Sequence, residues 1–432
     1  MPASRRKTTN RRTVLAGAGA LAVGTALGAA GCKDSGSPAP ATTADAALPA
    51  AADSGIDHII VVMMENRSFD HYLGWLPGAN GKQSGLTFTD RNGKARKTFH
   101  LATTQGCQYN DPDHSFDGGR TAFNDGKCDG WLRAGQNDEF PIGYYQPGDL
   151  DFYAKAAPAW TVCDNYFSAI MAETFPNRCY QHAAQTDRIH NSMTVSTLPT
   201  IWDRLAAAGI QGRYYFHDVP FLAAWGTKYV SISHLFSTFL ADCAAGTLPP
   251  VSFVDPKFLD ESTGTSADDH PHGDIRAGQA FLNQVYQAVT KSPAWSRTML
   301  IINYDEWGGF FDHVPPQTAP DANPAWGLRG FRVPCLVISP LARRKHVASE
   351  VYDHASVLKA IEWRWGLPSL TPRDAAARNL AEVLDFTSTP NLDAPQWEVP
   401  GVTSPRCTPS VVADFEQWTS LRKVAEAAGW KF

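Results

Sequence analysis

The sequence predicts an α/β protein with a mainly parallel central sheet flanked by helices, and three observations carry that reading. Ile59–Met64 and Met299–Tyr304 are apolar runs containing β-branched residues, the pattern of strands buried on both faces. Both end on oxygen-bearing side chains, Glu65-Asn66 and Asp305-Glu306, at the carboxyl strand ends where open α/β sheets place ligands. Between and beyond them, strand-like and helix-like segments alternate, as helices covering a parallel sheet require.

Taken in order, the chain opens on a segment that is not fold. Asn10-Arg11-Arg12-Thr13-Val14-Leu15 resembles a twin-arginine export signal. The Gly/Ala-rich stretch from Val14 to Gly31 is too short and too weakly apolar for a retained membrane helix. Leu27-Gly28-Ala29-Ala30-Gly31-Cys32 resembles a lipobox, with Cys32 as the lipid-bearing residue. Residues 1–31 therefore read as a signal segment and 32–54 as a disordered linker, since Lys33–Ala52 is rich in Ser, Pro, Ala and Thr. Residues 55–432 read as a single catalytic domain. An exported protein is expected, periplasmic or extracellular, associated peripherally with a membrane through its lipid anchor.

After the strand at Ile59–Met64 comes an aromatic, helix-like segment past Ser68. Residues 78–146 are rich in Gly, Asp, Asn and turn dipeptides, a long excursion that holds Asn110–Ser115. Trp160–Phe167 is strand-like, and Pro176 fits the first turn of a helix continuing through Gln185. Thr174 then stands at or just before a helix N-terminus, where backbone N–H groups favour a phosphate. Trp202–Ala208 reads as a helix ended by Gly209, Tyr214–Phe216 and Val251–Val254 as strands, and Asp268–Asp274 as a polar loop. Gly278–Thr290 is a helix over the sheet, Cys335–Ser339 another buried strand, and Ala355–Trp365 a helix stopped by Gly366 and Pro368.

Net charge is −5, which implies no polyanion-binding surface and no nucleic-acid partner. Thirteen Trp among 11% aromatics suggest a cleft with apolar walls as well as a core. Seven cysteines remain after Cys32, an odd number without a C-x-x-C pair, so a cysteine zinc site is not expected. Cys107–Cys128 is the expected bridge, closing the loop that holds His114. Asn66 or Ser68 read alone fits a helix N-cap, and Glu65 a surface pair with Arg67. Two strand ends carrying Glu65, Asp305 and Glu306 favour a metal site instead, because buried acids without a cation are costly.

MENRSFDHYLG, DPDHSF, TFPNR, DDHP and YDEWGGFFDHV, in this order, resemble the bacterial phosphoesterase family of phospholipases C and related acid phosphatases, within the alkaline-phosphatase-like superfamily. The resemblance implies that fold and assigns Glu65, Asn66, Asp305 and Glu306 to a metal, with Thr174 as the nucleophile close to it. It implies that His114 and His270, with Asn66, contact the transferred phosphoryl group. An oxygen-rich set favours Ca²⁺, Mg²⁺ or Mn²⁺ over Zn²⁺. His272 is the nearer bystander, and His217 matches a further phosphate ligand only loosely. Asp312 and His313 are expected to fix a loop, and Arg178 to anchor a helix start to a carboxylate. Ala172-Glu173 stands where relatives commonly have Gly-Pro, and Trp307 where a small or polar residue is frequent; both are expected to touch the pocket walls. No additional C-terminal β domain is expected.

The expected function is an exported, metal-dependent phospholipase C. It would cleave phosphatidylcholine-like phosphodiesters to diacylglycerol and a phosphorylated headgroup through a phosphothreonine intermediate. Threonine at position 174 leans this way, since phosphatase members of the family use serine. An acid phosphatase acting on monoesters is the alternative, and a non-catalytic lipoprotein that binds phosphorylated ligands is a third.

Overall fold

Apolar side chains on both faces leave a strand no stable place except the middle of a covered sheet. In the computed structural model, which describes residues 48–408 and 417–432, both apolar runs lie there. β1 (His58–Met64) is buried from Ile59 onward. The remaining strands of the main sheet are β2 (Thr161–Cys163), β3 (Gly212–Phe216), β4 (Ser233–Leu235), β5 (Val251–Val254), β6 (Thr298–Tyr304), β7 (Cys335–Ile338) and β8 (His346–Ala348). Their order across the sheet is β8-β2-β7-β6-β1-β5-β3-β4. Only β7 runs against its neighbours, β6 and β2; the other pairs are parallel.

The register of the two central strands creates the site. Ile59 lies opposite Met299 and Met64 opposite Tyr304, so Glu65 and Asp305 leave the sheet side by side. The Asp305 N–H still donates to the Met64 carbonyl at 3.1 Å, one residue beyond the strand.

Helices surround this sheet. They are α1 (Phe69–Leu73), α2 (Phe116–Phe123), α3 (Thr174–Ala183), α4 (Ile275–Thr290), α5 (His354–Trp365) and α6 (Gln417–Ala427), with others such as Ile201–Ala207 and Phe236–Ala245 between them. Of these, α1, α3, α4 and α5 lie where the sequence places them, and α2 and α6 where it gives no helix. Side-chain caps explain several starts: Ser68 accepts from the His71 N–H, Ser115 from Gly118 and Asp274 from Arg276. Gly366, at φ +65°, ends α5 in the left-handed conformation that glycine adopts without strain. The excursion over 78–146 is not bare loop. It carries α2 and short strand pairs such as Thr87–Thr89 with Ala95–Lys97. The run 160–167 splits, β2 joining the main sheet and Tyr166–Phe167 pairing with Tyr352–Asp353.

The export signal, Cys32 and most of the linker lie outside the described residues. The end of the linker does not stay free. Ala51–Asp53 forms a 3-10 turn and Leu48 packs on the core, within a unit spanning Ala46–Phe432. Among the described residues no helix is long and apolar enough to cross a membrane.

The disulfide corrects the expected pairing. Cys107 bonds Cys407, 300 residues away, not Cys128. Cys128 is buried in a second hydrophobic cluster with Trp131, Leu132 and Phe331, so its thiol faces inward. Cys107 meets the C-terminal segment because Gln105 Nε2 donates to the carbonyls of Gly264 (3.0 Å) and Pro405 (2.7 Å).

Candidate active site

Every residue of Glu65-Asn66-Arg67-Ser68 is buried, and each has a different task. The Glu65 N–H donates to Asp268 O at 2.8 Å, and Arg67 Nε to Asp269 O at 2.7 Å, which pins the Asp268–His270 loop against the end of β1. Ser68 is the cap of α1 and also donates to Phe311 O. Glu65 does not pair with Arg67. Its partner is Arg178.

At the end of β6 the backbone folds back through its own carboxylates. The Glu306 N–H donates to Asp305 Oδ1 at 2.7 Å and the Gly308 N–H to Glu306 Oε2 at 2.8 Å. Gly308 has φ +63° and lies so close to the Asn66 carbonyl that a Cβ would collide with it. Gly309, at φ +72°, allows the same approach to Pro112, where a Cβ would stand 2.6 Å from the ring. These two glycines let the loop after β6 close onto both the Asn66 turn and the His114 loop.

Thr174 is the first residue of α3, with Glu173 at the cap position. Asn177 fastens that start by donating to Ala172 O (2.8 Å) and Glu173 O (3.1 Å) while accepting from the Ile170 N–H. Arg178 follows Thr174 by one helical turn, on the same face. Its guanidinium lies 3.1 Å from Glu65 Oε1, 3.0 Å from Asp255 Oδ1 and 3.4 Å from Asp305 Oδ2, and packs against the rings of Phe258 and Trp418. The expected anchor to one carboxylate is an anchor to three.

His114 and His270 come from separate loops, yet their rings stand edge to face with centroids 5.7 Å apart. Nδ1 of His114 contacts Pro112 O at 2.8 Å, and that of His270 contacts Pro271 O. Burial pushes His114 down, but Glu306 and then Asp111 outweigh it and hold the imidazole up at about 9. Burial dominates at His270, which falls to about 4. At neutral pH the pair is one imidazolium and one imidazole. The carboxyls move the other way: burial lifts Glu65 and Glu306 to about 7 and Asp305 well above its ordinary range.

That upward drift marks a set of acids short of positive charge. Glu65 Oε2, Asn66 Oδ1, Thr174 Oγ1 and Glu306 Oε1 are buried without a hydrogen-bond partner, and Asp305 Oδ2 has only the Arg178 ion pair at 3.4 Å. Four orphaned oxygens on the expected ligand residues fit a hard divalent cation. Groups whose ligand atoms fall within 4.8 Å of one another are Glu65 with Glu261 and His270, and Asp111 with His114 and His270. Of the expected ligands only Glu65 belongs to one; Asp305 lies instead across Arg178. Asp70, Asp312 and His313 form a third group, but Arg332 already answers it, 2.9 Å from Asp312 and 3.1 Å from Asp70. Asp312 and His313 thus fix a loop, as expected.

A cavity of about 360 Å³ opens beside these groups, walled by Asp111, His114, Glu173, Glu261, His270 and Gln417 among others. Glu173 lines it as expected, and His272 sits at its edge, bonded to Tyr109 O at 2.9 Å. Trp307 does not line it. The indole is buried against Phe331 and against α2, where Gly119 leaves room for it. His217 is remote, lining a different cavity with Lys257. Asp255, Glu261 and Gln417 were not foreseen: Asp255 follows an expected strand but stands in no motif, and Glu261 and Gln417 come from segments without such a signal, whereas Asp268 stood inside DDHP.

The family model described as "Phosphoesterase family" matches residues 56–368, which include all five motifs and both strand ends. The chain belongs to the phosphoesterase family. This phosphoesterase is 31% identical over 440 residues to "Phospholipase C A" of Mycobacterium tuberculosis (strain ATCC 25618 / H37Rv), covering 83% of each chain. It is 31% identical over 400 residues to "Non-specific phospholipase C6" of Arabidopsis thaliana, covering 82% of this chain and 77% of that one. With "Non-hemolytic phospholipase C" of Pseudomonas aeruginosa it shares 30% identity over 79% of this chain and 59% of the relative. A solved alkaline phosphatase superfamily protein from Vibrio parahaemolyticus is 10% identical with a TM-score of 0.37, covering 76% and 70%. That likeness is too distant to add to the sheet order. The protein is a phosphoric ester hydrolase.

Proposed function

We propose that this phosphoesterase is an exported, metal-dependent phospholipase C that converts phosphatidylcholine-like diesters to diacylglycerol and a phosphorylated headgroup. The observation that carries the reading is the setting of Thr174. Its hydroxyl is buried and unpartnered at a helix start, on the face from which Arg178 reaches the carboxylates of Glu65 and Asp305.

Glu65, Asn66, Thr174, Asp305 and Glu306 would hold the cation, with oxygen ligands suiting Ca²⁺, Mg²⁺ or Mn²⁺ before Zn²⁺. When bound it neutralises phosphoryl oxygens and makes a hydroxyl more acidic. With its proton lost to solvent, Thr174 Oγ attacks phosphorus as the alkoxide and the bond to diacylglycerol breaks, leaving the phosphorylated headgroup on the threonine. His114, cationic, offsets charge on the equatorial oxygens and gives its Nε2 proton to the departing alkoxide. His270, neutral with Nδ1 turned to Pro271 O, keeps Nε2 free to accept a proton from the water that releases Thr174.

The test is product analysis with the full-length protein. Phosphatidylcholine should yield diacylglycerol and phosphocholine, chelation should stop the reaction, and a divalent cation should restore it. Phosphatidate and choline as products, or a phosphate monoester as the better substrate from acidic to neutral pH, would replace this reading; the latter makes it an acid phosphatase. Export rests on Asn10–Leu15 and Leu27–Cys32. Lysine at both Arg11 and Arg12 should hold the precursor in the cytoplasm, and Cys32→Ala should free it from the membrane fraction.

A further inference from the structure

Glu173 brings a carboxylate to the wall of the cavity immediately before Thr174, at a position where the family resemblance leads to Gly-Pro. The side chain is fixed there. It accepts from the Asn191 N–H at 2.5 Å, its other oxygen lies 2.9 Å from His190 Nδ1, and only 17% of it is exposed. Asp111, Asp113 and Glu261 share the cavity with it, and Glu261 Oε1 is buried with no hydrogen-bond partner. Among the described residues no lysine or arginine lines this space, and the imidazolium in its wall, His114, is the group assigned above to the phosphoryl oxygens.

Resting on the phospholipase reading above, we propose that this cavity receives the headgroup and that Glu173 selects ammonium- or quaternary-ammonium-bearing headgroups over anionic ones. At about 360 Å³ the cavity is at the small end of ligand pockets, sized for a headgroup and too small for two acyl chains. A fixed carboxylate in a partly desolvated pocket attracts a cation and repels an anion more strongly than it would in water. Selection by charge mismatch raises the cost of the wrong headgroup more than it tightens the right one. Glu173 acts on which diester is accepted, while Thr174 acts on the phosphorus of any that is.

Short-chain phosphatidylcholine and phosphatidylglycerol, kept below their micelle-forming concentrations, separate the headgroup from the charge of a lipid surface. Wild type should favour the choline diester in kcat/KM by about tenfold or more, the scale of one charge contact of ~1.4 kcal/mol. Glu173→Gln should narrow that ratio about tenfold, whereas Glu173→Asp, which keeps the charge, should retain most of it. If Glu173→Gln does not fold, salt answers instead: raising ionic strength from about 0.05 to 0.5 M should shrink the wild-type ratio through screening. Equal rates on both headgroups in wild type, an unaltered ratio in Glu173→Gln, or a ratio indifferent to salt would each overturn the assignment. Cleavage of neither diester by wild type would bring down the phospholipase reading itself, and this inference with it.

Discussion

Arg178 and Glu65 form a buried ion pair, guanidinium nitrogen to carboxylate oxygen at 3.1 Å, that ties the helix of Thr174 to the strand end of Asn66. Neither side chain is more than 1% exposed, so both charges were removed from water and neither is answered by solvent. The same guanidinium faces Asp255 and Asp305. One cation thus ties its helix to three strand ends, each 77 or more residues away from it along the chain.

Removing that cation should be far costlier than removing a surface charge. Arg178→Met should destabilise the protein by about 3–5 kcal/mol, because it leaves acids buried without a partner. Urea unfolding in chelator measures it directly. A loss below about 1 kcal/mol would mean that solvent reaches these acids.

A divalent cation should then act as a second tie on the same acids. Chelated protein should melt lower than protein with Mg²⁺, Ca²⁺ or Mn²⁺, since a ligand that binds only the folded state stabilises it. Asp305→Asn should reduce that shift, a readout that needs no turnover. No shift with any of the three cations would remove the metal from the proposal.

Much of this was legible because strand ends carry their own signature. An apolar run that stops on Glu65-Asn66 or Asp305-Glu306 announces both a buried strand and what it delivers, and the register Met64 with Tyr304 brings the two together. Helix starts were legible through Pro176 and through Ser68, whose hydroxyl caps α1. What failed depended on distance along the chain. Cys107 bonds Cys407, 300 residues on, and nothing local distinguishes that partner from Cys128. Asp255 reaches the site from a strand end outside any motif, and Glu261 and Gln417 from segments without such a signal. Trp307 was misplaced because a position beside two acids does not say which way a ring turns after them.

Two buried histidines outside the cavity, His182 and His354, should lower stability in acid. His182 lies among Phe221, Phe253 and Trp202, and burial takes it down to about 3; His354, buried beneath Tyr304 O, falls to about 4. Their unfolded value is about 6.5, so above that pH these two side chains are neutral in the folded and unfolded chain alike. Below it they take up protons only in the unfolded chain, and their contribution to stability falls as pH drops toward the folded values, by at most about 1.4 kcal/mol per pH unit for each histidine. His182→Phe should flatten this slope, the more readily because His182 Nδ1 has no hydrogen-bond partner to lose. Unfolding curves between pH 7 and 4 with identical slopes for both proteins would reject the assignment.

The Cys107–Cys407 bond should matter because it closes so long a loop. Cys407→Ser should cost roughly 2–4 kcal/mol, chiefly by freeing the unfolded chain, and reduction of wild type should cost the same. Equal stability before and after reduction, with the thiols titrated to prove it, would mean that the Gln105 contacts alone secure the segment.

The nucleophile is decided by Thr174. Its hydroxyl has no hydrogen-bond partner, so Thr174→Ala removes no bond and leaves no orphan behind. In chelator the variant should fold with an unchanged melting temperature, and it should still bind cation through Glu65, Asn66, Asp305 and Glu306, more weakly by the one ligand lost. Turnover of phosphatidylcholine should nonetheless fall by about a thousandfold or more, because the covalent route depends on that oxygen alone. Thr174→Ser keeps the oxygen and should recover most of the activity, which a packing role for the methyl group would not explain. Rapid acid quench of wild type should show a mass increase of one phosphorylated headgroup on the peptide containing Thr174, absent from Thr174→Ala. If the adduct sits on another residue, or if Thr174→Ala turns over like wild type, then water attacks directly or another nucleophile serves. The unpartnered hydroxyl at the start of α3 would in that case be a ligand and nothing more.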